Sequence, residues 1–450
     1  MNMREELRKY SDEAYEIVKY AANEIGPRLP GSDNEKKLHD HMASRLEEIG
    51  IKPVTEKFVF APHASVGGMP YAGWGGIIGA AGLVLTSIIG SITMLGGLAL
   101  SFFTMLYMIG LWTWLIVSVF KYKTCFDWCF KHAMSHNTYG ELKPEDGQYD
   151  YTIFLSGHTD TSWTLKLSAS QGKAGFASVV ARLGIGAIAV GIVTVLSIVT
   201  FVIACVVEGE DNAMNAGGGN ADVLQAATNA WNIMLYVNIF SAPLWIVGSF
   251  FLTLYNERTE QIASPGAMDN ATGVALSYEV LKYFKENPDK MPARCRIVDM
   301  NCGAEEAGLR GSIAFVRNHK DDGMLNHAYH LNIDSIADKD YFSVINGDAW
   351  LCPHFDKDLE SMFMDAMREA GIEKPLKMNN PIGGCDSTPF EKSGVKSITF
   401  AAQKPEMTDY YHTYKDVPER FEPETVGLGL DVVLRVIDKI ALKENAKKDE

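Results

Sequence analysis

Seven residues have the types and settings to do chemistry together: His158, Asp160, Asp269, Glu305, Glu306, Asp334 and His412. His158 and Asp160 close the apolar run YTIFLSGHTD (151–160), Glu305 and Glu306 close RCRIVDMNCGAEE (294–306), and Asp334 ends HAYHLNID (327–334). Asp269 precedes the helical stretch ATGVALSYEVL, and His412 lies in a loop near the C-terminal end. Two imidazoles with three or more carboxylates suit a pair of zinc ions or related divalent metals, with one carboxylate able to bridge them. Paired metals lower the pKa of a bound water and hold both the attacking oxygen and a substrate carbonyl. In a looping segment neighbouring side chains diverge, so one of Glu305 and Glu306 can ligate while the other faces water as general base. Asp160, two residues beyond His158, can orient the imidazole as an acceptor. Each residue alone has a plainer reading: a surface or core histidine, a solvated glutamate pair, a helix cap at Asp269. Cys302 and Cys385 read as packing residues, and the sequon Asn270-Ala271-Thr272 falls inside the site and is set aside. Conjunction and order carry the weight.

The elements that must position these side chains are short strands alternating with helices. The runs at 151–160, 294–306, 327–334 and 395–403 are separated by the helical stretches ATGVALSYEVLKYFKEN, GLRGSIAFVRNH and DLESMFMDAMREAG, and ETVGLGLDVVLRVIDKIAL follows the last. The N-terminal part reads as an amphipathic helix, a Pro/Gly turn, a cap region at Ser32 and Asp33, a second helix and a strand. Such alternation predicts an α/β domain with a largely parallel sheet. In those sheets ligands gather beyond the carboxyl ends of strands, which is where the acidic and histidine residues fall.

The composition adds a second theme. The 450 residues carry 41 Lys and Arg against 56 Asp and Glu, a net charge of −15, which argues against nucleic acid as a partner. Seven scattered cysteines form no disulfide framework. The charged start MNMREELRKYSDEAYEI lacks the apolar core of a signal peptide. Between Lys57 and Lys121 lie 63 uncharged residues, within which Tyr71–Ile89 and Leu98–Phe120 are each long enough to cross a bilayer, with a turn at Gly90–Gly97. Leu183–Val207 and Trp231–Tyr255 repeat the arrangement. Helices apolar on all faces need lipid or a large core around them; a homo-oligomer that buries the hairpins at a dimer interface is the competing explanation. The stretch 208–222 contains no Lys or Arg, whereas the opposite flanks carry Lys121, Lys123, Lys131, Lys166, Lys173, Arg182 and Arg258. The positive-inside rule then places the flanks in the cytoplasm and the acidic stretch outside, in a multi-pass protein of the cell membrane. The expected division is 1–65, 121–177 and 256–450 as one discontinuous domain, with hairpins at 66–120 and 178–255.

Five motifs, in order, resemble those of the M28 family of metallopeptidases. GHTD (157–160) resembles the family's GHxD, GAMDNATG (266–273) its GAxDNASG, and GAEEAGLRGS (303–312) its GAEExGLxGS. LNIDSI (331–336) resembles its NLDM element and YHTYKD (411–416) its YHTxxD. GPRLPGS, NTYGEL (137–142) and CDSTPFEKSGV (385–395) agree as flanking pieces. The resemblance implies two Zn2+ ions, with His158, Asp269, Glu306, Asp334 and His412 as ligands, Asp269 bridging, Glu305 as base and Asp160 supporting His158. In the family the Asp–Asn bond of the second motif is commonly cis. The implied fold is the three-layer zinc-peptidase fold with a central, mostly parallel mixed sheet, here with two inserted transmembrane hairpins, four spans in all. The departure is spacing: 108 residues separate Asp160 from Asp269, whereas the two motifs lie close together in soluble members. Insertions between fixed elements cost little closure entropy when their ends stay close.

The resemblance implies an aminopeptidase acting on peptides at the membrane, with residues around Phe390, Tyr410 and Tyr411 lining the first substrate pocket. Two other readings compete. A glutaminyl-cyclase-like transferase uses one zinc, and the intact GHxD with His158 argues against it. A receptor or scaffold that keeps a peptidase fold usually loses ligands, whereas all five ligands and the base are present here.

Overall fold

The computed structural model describes residues 4–406 and 408–447; the side chains of 256–261, Arg258 among them, lie outside that description. In chain order the elements are α1 (Arg8–Lys19), α2 (Asp33–Glu48), β1 (Val54–Phe60), α3 (Met69–Ile92), α4 (Met94–Trp114), β2 (Ala133–Leu142), β3 (Tyr151–His158) and β4 (Trp163–Leu165). There follow α5 (Lys166–Gln171), α6 (Lys173–Asn215), α7 (Ala221–Thr253), β5 (Arg258–Ala263), α8 (Thr272–Glu286), β6 (Cys295–Cys302) and α9 (Arg310–His319). The last are β7 (Ala328–Ile336), β8 (Phe342–Asp348), α10 (Lys357–Glu369), β9 (Leu376–Asn380), α11 (Ser387–Lys392), β10 (Lys396–Ala402) and α12 (Pro423–Ala446). They fall into two compact units: Met1–Ala64, Asp127–Phe176 and Arg258–Glu450 in one, Ser65–Phe126 and Ala177–Glu257 in the other.

The larger unit is built on an eight-stranded sheet in the order β1-β2-β6-β3-β7-β10-β8-β9. Its centre, β6-β3-β7-β10, is parallel, and antiparallel pairings at β2–β6 and β10–β8 lead to the edges. Alternate residues of each central strand serve opposite faces. Ile153, Leu155, Ile297, Leu331 and Phe400 pack with α1, α2, α8, α10 and α12 on one side. Phe154, Val298 and Met300 pack with Phe315 of α9 and Phe390 of α11 on the other. With both faces covered, the strands are near-continuous apolar runs, as parallel strands require. This is the mixed α/β fold with a largely parallel central sheet that the alternation of strands and helices predicts. The strands β8 and β9 at one end of the sheet lie outside that expectation; LKMNN of the edge strand β9 is mostly polar and alternates between half-buried and exposed positions.

Both long excursions leave from, and return to, paired strands of this unit. Phe60 of β1 faces Ala133 of β2, and Trp163 of β4 faces Ala263 of β5, where the Ser264 N–H also donates to the Ser162 carbonyl at 2.9 Å. Closed ends of this kind let an insertion grow without spreading the loops it interrupts.

The helical unit contains four helices long and apolar enough to cross a membrane, at Val66–Ile92, Met94–Phe120, Lys173–Asn215 and Ala221–Thr253. Only 22 to 39% of each apolar window is buried, so large side chains such as Ile92, Phe103 and Phe240 point outward. The helices meet through glycines. A Cβ on Gly76 would stand 2.5 Å from the Ser249 hydroxyl, one on Gly90 2.4 Å from the Trp231 ring, and one on Gly79 2.0 Å from the Met108 sulfur. Close approach through small residues, with few charges, is how helices associate where lipid removes the hydrophobic drive. The expected turn at Gly90–Gly97 shrinks to a single extended residue, Thr93. The helix α6 runs well past the apolar segment 183–207 at both ends, because helix propagation does not stop where apolarity does. The acidic stretch 208–222 is accordingly helical as far as Asn215, and the Asn220 side chain caps α7.

Candidate metal centre

His158 is the last residue of β3, Asp334 lies near the end of β7, and Glu305 and Glu306 occupy the turn after β6. Asp269 precedes α8 at a cis Asp269–Asn270 peptide, and His412 sits between β10 and α12. The topology brings all of them to the carboxyl edge of the parallel strands, where ligands of such sheets gather. Left-handed backbone concentrates there too: Ala304, Leu309, Ser335 and His412 have φ of 53°, 59°, 59° and 53°. Such conformations cost about 1 kcal/mol or more each, so the surrounding packing must impose them.

Asp269 is the centre of the geometry. One of its oxygens lies 3.1 Å from His158 Nε2 and the other 3.1 Å from His412 Nε2, which is also 3.1 Å from Glu306 Oε1. Two sets of ligand atoms result, each drawn together within 4.8 Å: His158, Asp269 and Asp334, and Asp269, Glu306 and His412. The Glu306 Oε1 atom is buried, and its contact with His412 Nε2 lacks the geometry of a hydrogen bond. Imidazole nitrogens with carboxylate oxygens, one carboxylate common to both sets, fit zinc. Glu305 belongs to neither set.

The electrostatics match a site built to receive positive charge. Burial opposes a charge on His158, but Asp160 and Asp269 outweigh it and hold its pKa well above the usual imidazole value. Burial likewise opposes His412, and Glu306 and Asp269 lift it to about 10. Burial would raise Asp269, yet the two imidazoles keep it below the usual carboxylate range. Burial pushes Asp334 up to about 7. Glu305 is driven well above the ordinary glutamate value by burial, against the pull of His158 and with Asp386, Glu306 and Asp334 adding to the rise.

Asp160 does more than the sequence suggests. Its main-chain carbonyl faces His158 Nδ1 at 3.1 Å, while its carboxylate accepts the backbone N–H groups of Glu305 and Glu306, each at 2.9 Å. The ring nitrogen lies 3.5 Å from the nearer carboxylate oxygen. The same device recurs around the site: Asp416 accepts the N–H groups of Met268 (2.7 Å) and Asp269 (3.1 Å), and Glu35 those of Gly31 (2.7 Å) and Ala304 (2.8 Å). Buried Asp386 takes the Ser312 hydroxyl and faces Glu305 and His158 electrostatically. None of these roles is legible in the sequence, although each residue but Glu35 lies in a quoted motif.

The expected pocket residues separate. Phe390 corrects the expectation, being 0% exposed, stacked on His330 with ring centroids 3.8 Å apart and packed against Phe154 and Phe315. The apolar ring is spent in the core below the sheet and cannot line a pocket. Tyr410 is buried and donates to Asp338, under the Arg420 guanidinium. Tyr411 is half-buried and stacks on the His412 ring, centroids 4.0 Å apart, with Phe176 edge-on.

Comparison with known proteins follows the same residues. The family model "Peptidase family M28" matches residues 253–437, which hold Asp269, Glu305, Glu306, Asp334 and His412; His158 lies before it. Aminopeptidase YwaD of Bacillus subtilis (strain 168) is 25% identical over 194 residues, 41% of this chain, and the match spans 40% of that protein's length. Among solved structures, the zinc aminopeptidase BSAP from Bacillus subtilis superposes with a TM-score of 0.53 at 14% identity, covering 96% of this chain and 95% of that one. An aminopeptidase from Aneurinibacillus sp. strain AM-1 gives 0.50 at 12% identity, covering 96% and 94%. A glutaminyl cyclase from an Acidobacteriales bacterium gives 0.50 at 13%, covering 96% and 95%, so these likenesses speak for the fold and not for one reaction. The family match at residues 253–437, the motifs within it and the shared fold make this chain similar to peptidase family M28 over somewhat less than half of its length.

Proposed function

We propose that the chain is a membrane-embedded, zinc-dependent aminopeptidase that removes N-terminal residues from peptides, with Glu305 as general base. Two zinc ions would be held by His158, Asp269 and Asp334 and by Asp269, Glu306 and His412. The observation that carries this reading is the placement of the two Asp269 oxygens, each 3.1 Å from a different imidazole. When bound, the ions polarise the scissile carbonyl and lower the pKa of water at the site. The remaining work belongs to side chains. Glu305 takes a proton from water at its carboxylate and hands it to the nitrogen of the leaving amine. Asp160 fixes where that carboxylate hangs, by holding the Glu305 N–H at 2.9 Å. Burial among acidic neighbours raises the proton affinity of Glu305, which suits a group that must carry a proton between two steps. Removal from the N-terminus is supported by the curated relative, which is named an aminopeptidase.

The four apolar helices, largely exposed and packed through glycines, support embedding in a lipid bilayer. The lysines and arginine at 121, 123, 131, 166, 173 and 182, against none in 208–222, support a catalytic unit on the cytoplasmic side. The test is release of N-terminal residues from a mixed peptide library by detergent-purified protein, beside Glu305→Gln. The expected result is turnover in the wild type and loss in the variant with zinc content unchanged. Silence in both with zinc bound would sink the aminopeptidase reading.

A further inference from the structure

Arg28 is 0% exposed, and its guanidinium makes five hydrogen bonds, all to main-chain carbonyls. Nε donates to Thr159 at 2.8 Å, Nη1 to Pro265 at 2.7 Å, and Nη2 to Gly266 at 2.9 Å; Nη1 also reaches Ala21 and Gly26 at 2.8 and 3.0 Å. Its backbone joins the same assembly, since its N–H donates to the Thr161 hydroxyl and its carbonyl accepts the Thr161 N–H, both at 2.9 Å. Thr159 follows His158 directly, and Gly266 precedes Asp269 by three residues. The guanidinium therefore spans the gap between the loop that presents His158 and the loop that presents Asp269.

Gly266 is shaped to this contact. It adopts φ +62°, and a Cβ there would stand 2.9 Å from Arg28 Nη2, 2.6 Å from the Asp269 carbonyl and 2.2 Å from the Thr161 methyl. Glu306 and His412, the ligands confined to the other half of the centre, are not bonded by Arg28 directly. The Glu305–Glu306 turn hangs on Asp160 and Glu35, and the His412 carbonyl accepts the Leu165 N–H at 2.9 Å. No hydrogen bond runs from Arg28 to either of those segments among the described residues.

We propose that Arg28 is the positioning residue of the His158 half of the site: by tying the His158 loop to the Asp269 loop, its guanidinium maintains the His158–Asp269–Asp334 cation position selectively over the Asp269–Glu306–His412 position. The inference rests on the two-zinc reading above. Burial draws the Arg28 pKa down to about 10, so the group is still a cation at neutral pH, with Asp416, Asp160 and Asp269 in its field. Charge alone is not the device. An ammonium offers its donors from one point, whereas the guanidinium fork reaches carbonyls on two loops at once.

The experiment uses full-length protein in detergent, stripped of metal and titrated with Co2+ against a competing chelator, with visible absorption reporting each equivalent. Glu306→Gln removes a ligand from one set only and identifies which equivalent is which. Wild-type protein is expected to take up two ions. Arg28→Lys is expected to hold the Glu306–His412 ion and to bind the His158 ion more weakly by about tenfold or more, the usual scale for losing a group that orients a ligand. Two ions at wild-type affinity in Arg28→Lys, or equal weakening of both, would overturn the proposal. So would failure of Arg28→Lys to give a folded metal-free protein, which would make Arg28 a folding residue first. Fewer than two ions in the wild type would instead bring down the two-zinc reading, and this inference with it.

Discussion

Replacing Glu279 by Gln should stabilise the protein, and by an amount that grows with pH. Glu279 lies in α8, fully buried, with neither carboxylate oxygen hydrogen-bonded. Burial raises its pKa from 4.5 to about 8, against the attraction of Lys282 and with the repulsion of Glu13 added. In the folded protein the group is thus a neutral acid at pH 7, whereas in the unfolded chain it is ionised. A raised acid pKa costs nothing below the unfolded value, and the cost grows as pH climbs through the window between the two values. At about 1.4 kcal/mol per pH unit, the penalty is below about 1 kcal/mol at pH 5 and about 3 kcal/mol at pH 7, and it levels off above pH 8. Gln has the shape of the protonated acid and does not titrate, so the variant escapes the penalty. Thermal melts followed by tryptophan fluorescence, wild type and variant side by side in zinc-saturated detergent at pH 5, 6, 7 and 8, read it directly. A gain of about 3 kcal/mol corresponds to several degrees in Tm for a unit of this size. A gap between the two proteins that stays constant across pH, or a variant less stable than wild type at pH 7, would refute the reasoning.

Other perturbations test the site and the membrane unit. Asp160→Asn leaves one acceptor oxygen where two N–H groups need acceptors, and should cut peptide turnover by about 10- to 100-fold, read as kcat at saturating zinc. Gly266→Ala drives a methyl to 2.2 Å from Thr161 at a left-handed φ, and should cost about 3 kcal/mol in a melt and lower zinc retention on dialysis. Gly76→Val forces α3 away from Ser249 of α7, and should reduce the monodisperse fraction on size-exclusion chromatography in detergent. The exposed thiols of Cys125 and Cys129 follow the second span, so a membrane-impermeant maleimide should label them in inverted vesicles and not in right-side-out cells. The reverse pattern would place the catalytic unit outside.

What the sequence discloses here depends on how far each residue's partners lie along the chain. His158, Asp269, Glu305, Glu306, Asp334 and His412 stand at strand ends or loop starts, where a local apolar run and one acidic or imidazole side chain reveal both the element and the candidate site residue. The four apolar helices are legible for the same reason, since hydropathy reports the environment of a segment. It does not report where the helix ends, so neither the break at Thr93 nor the long extension of α6 shows in it. The carboxylates that hold the ligand loops are invisible as such: Glu35 meets Ala304 across 269 positions, Asp160 meets Glu305 across 145, and Asp416 meets Asp269 across 147. Nothing in local spacing says that an aspartate will accept two backbone N–H groups from a distant turn, so local reasoning gives Asp160 only to the ring beside it. Phe390 misleads for the opposite reason. Its place in a site motif suggests a pocket, but an apolar ring inside α11, beyond buried Asp386, gains more from stacking on His330 in the core than from facing solvent. The candidate ligands of this centre are thus local facts of the sequence, whereas what holds their loops is a property of the fold: buried acceptors and a buried guanidinium that only the folded sheet brings within reach.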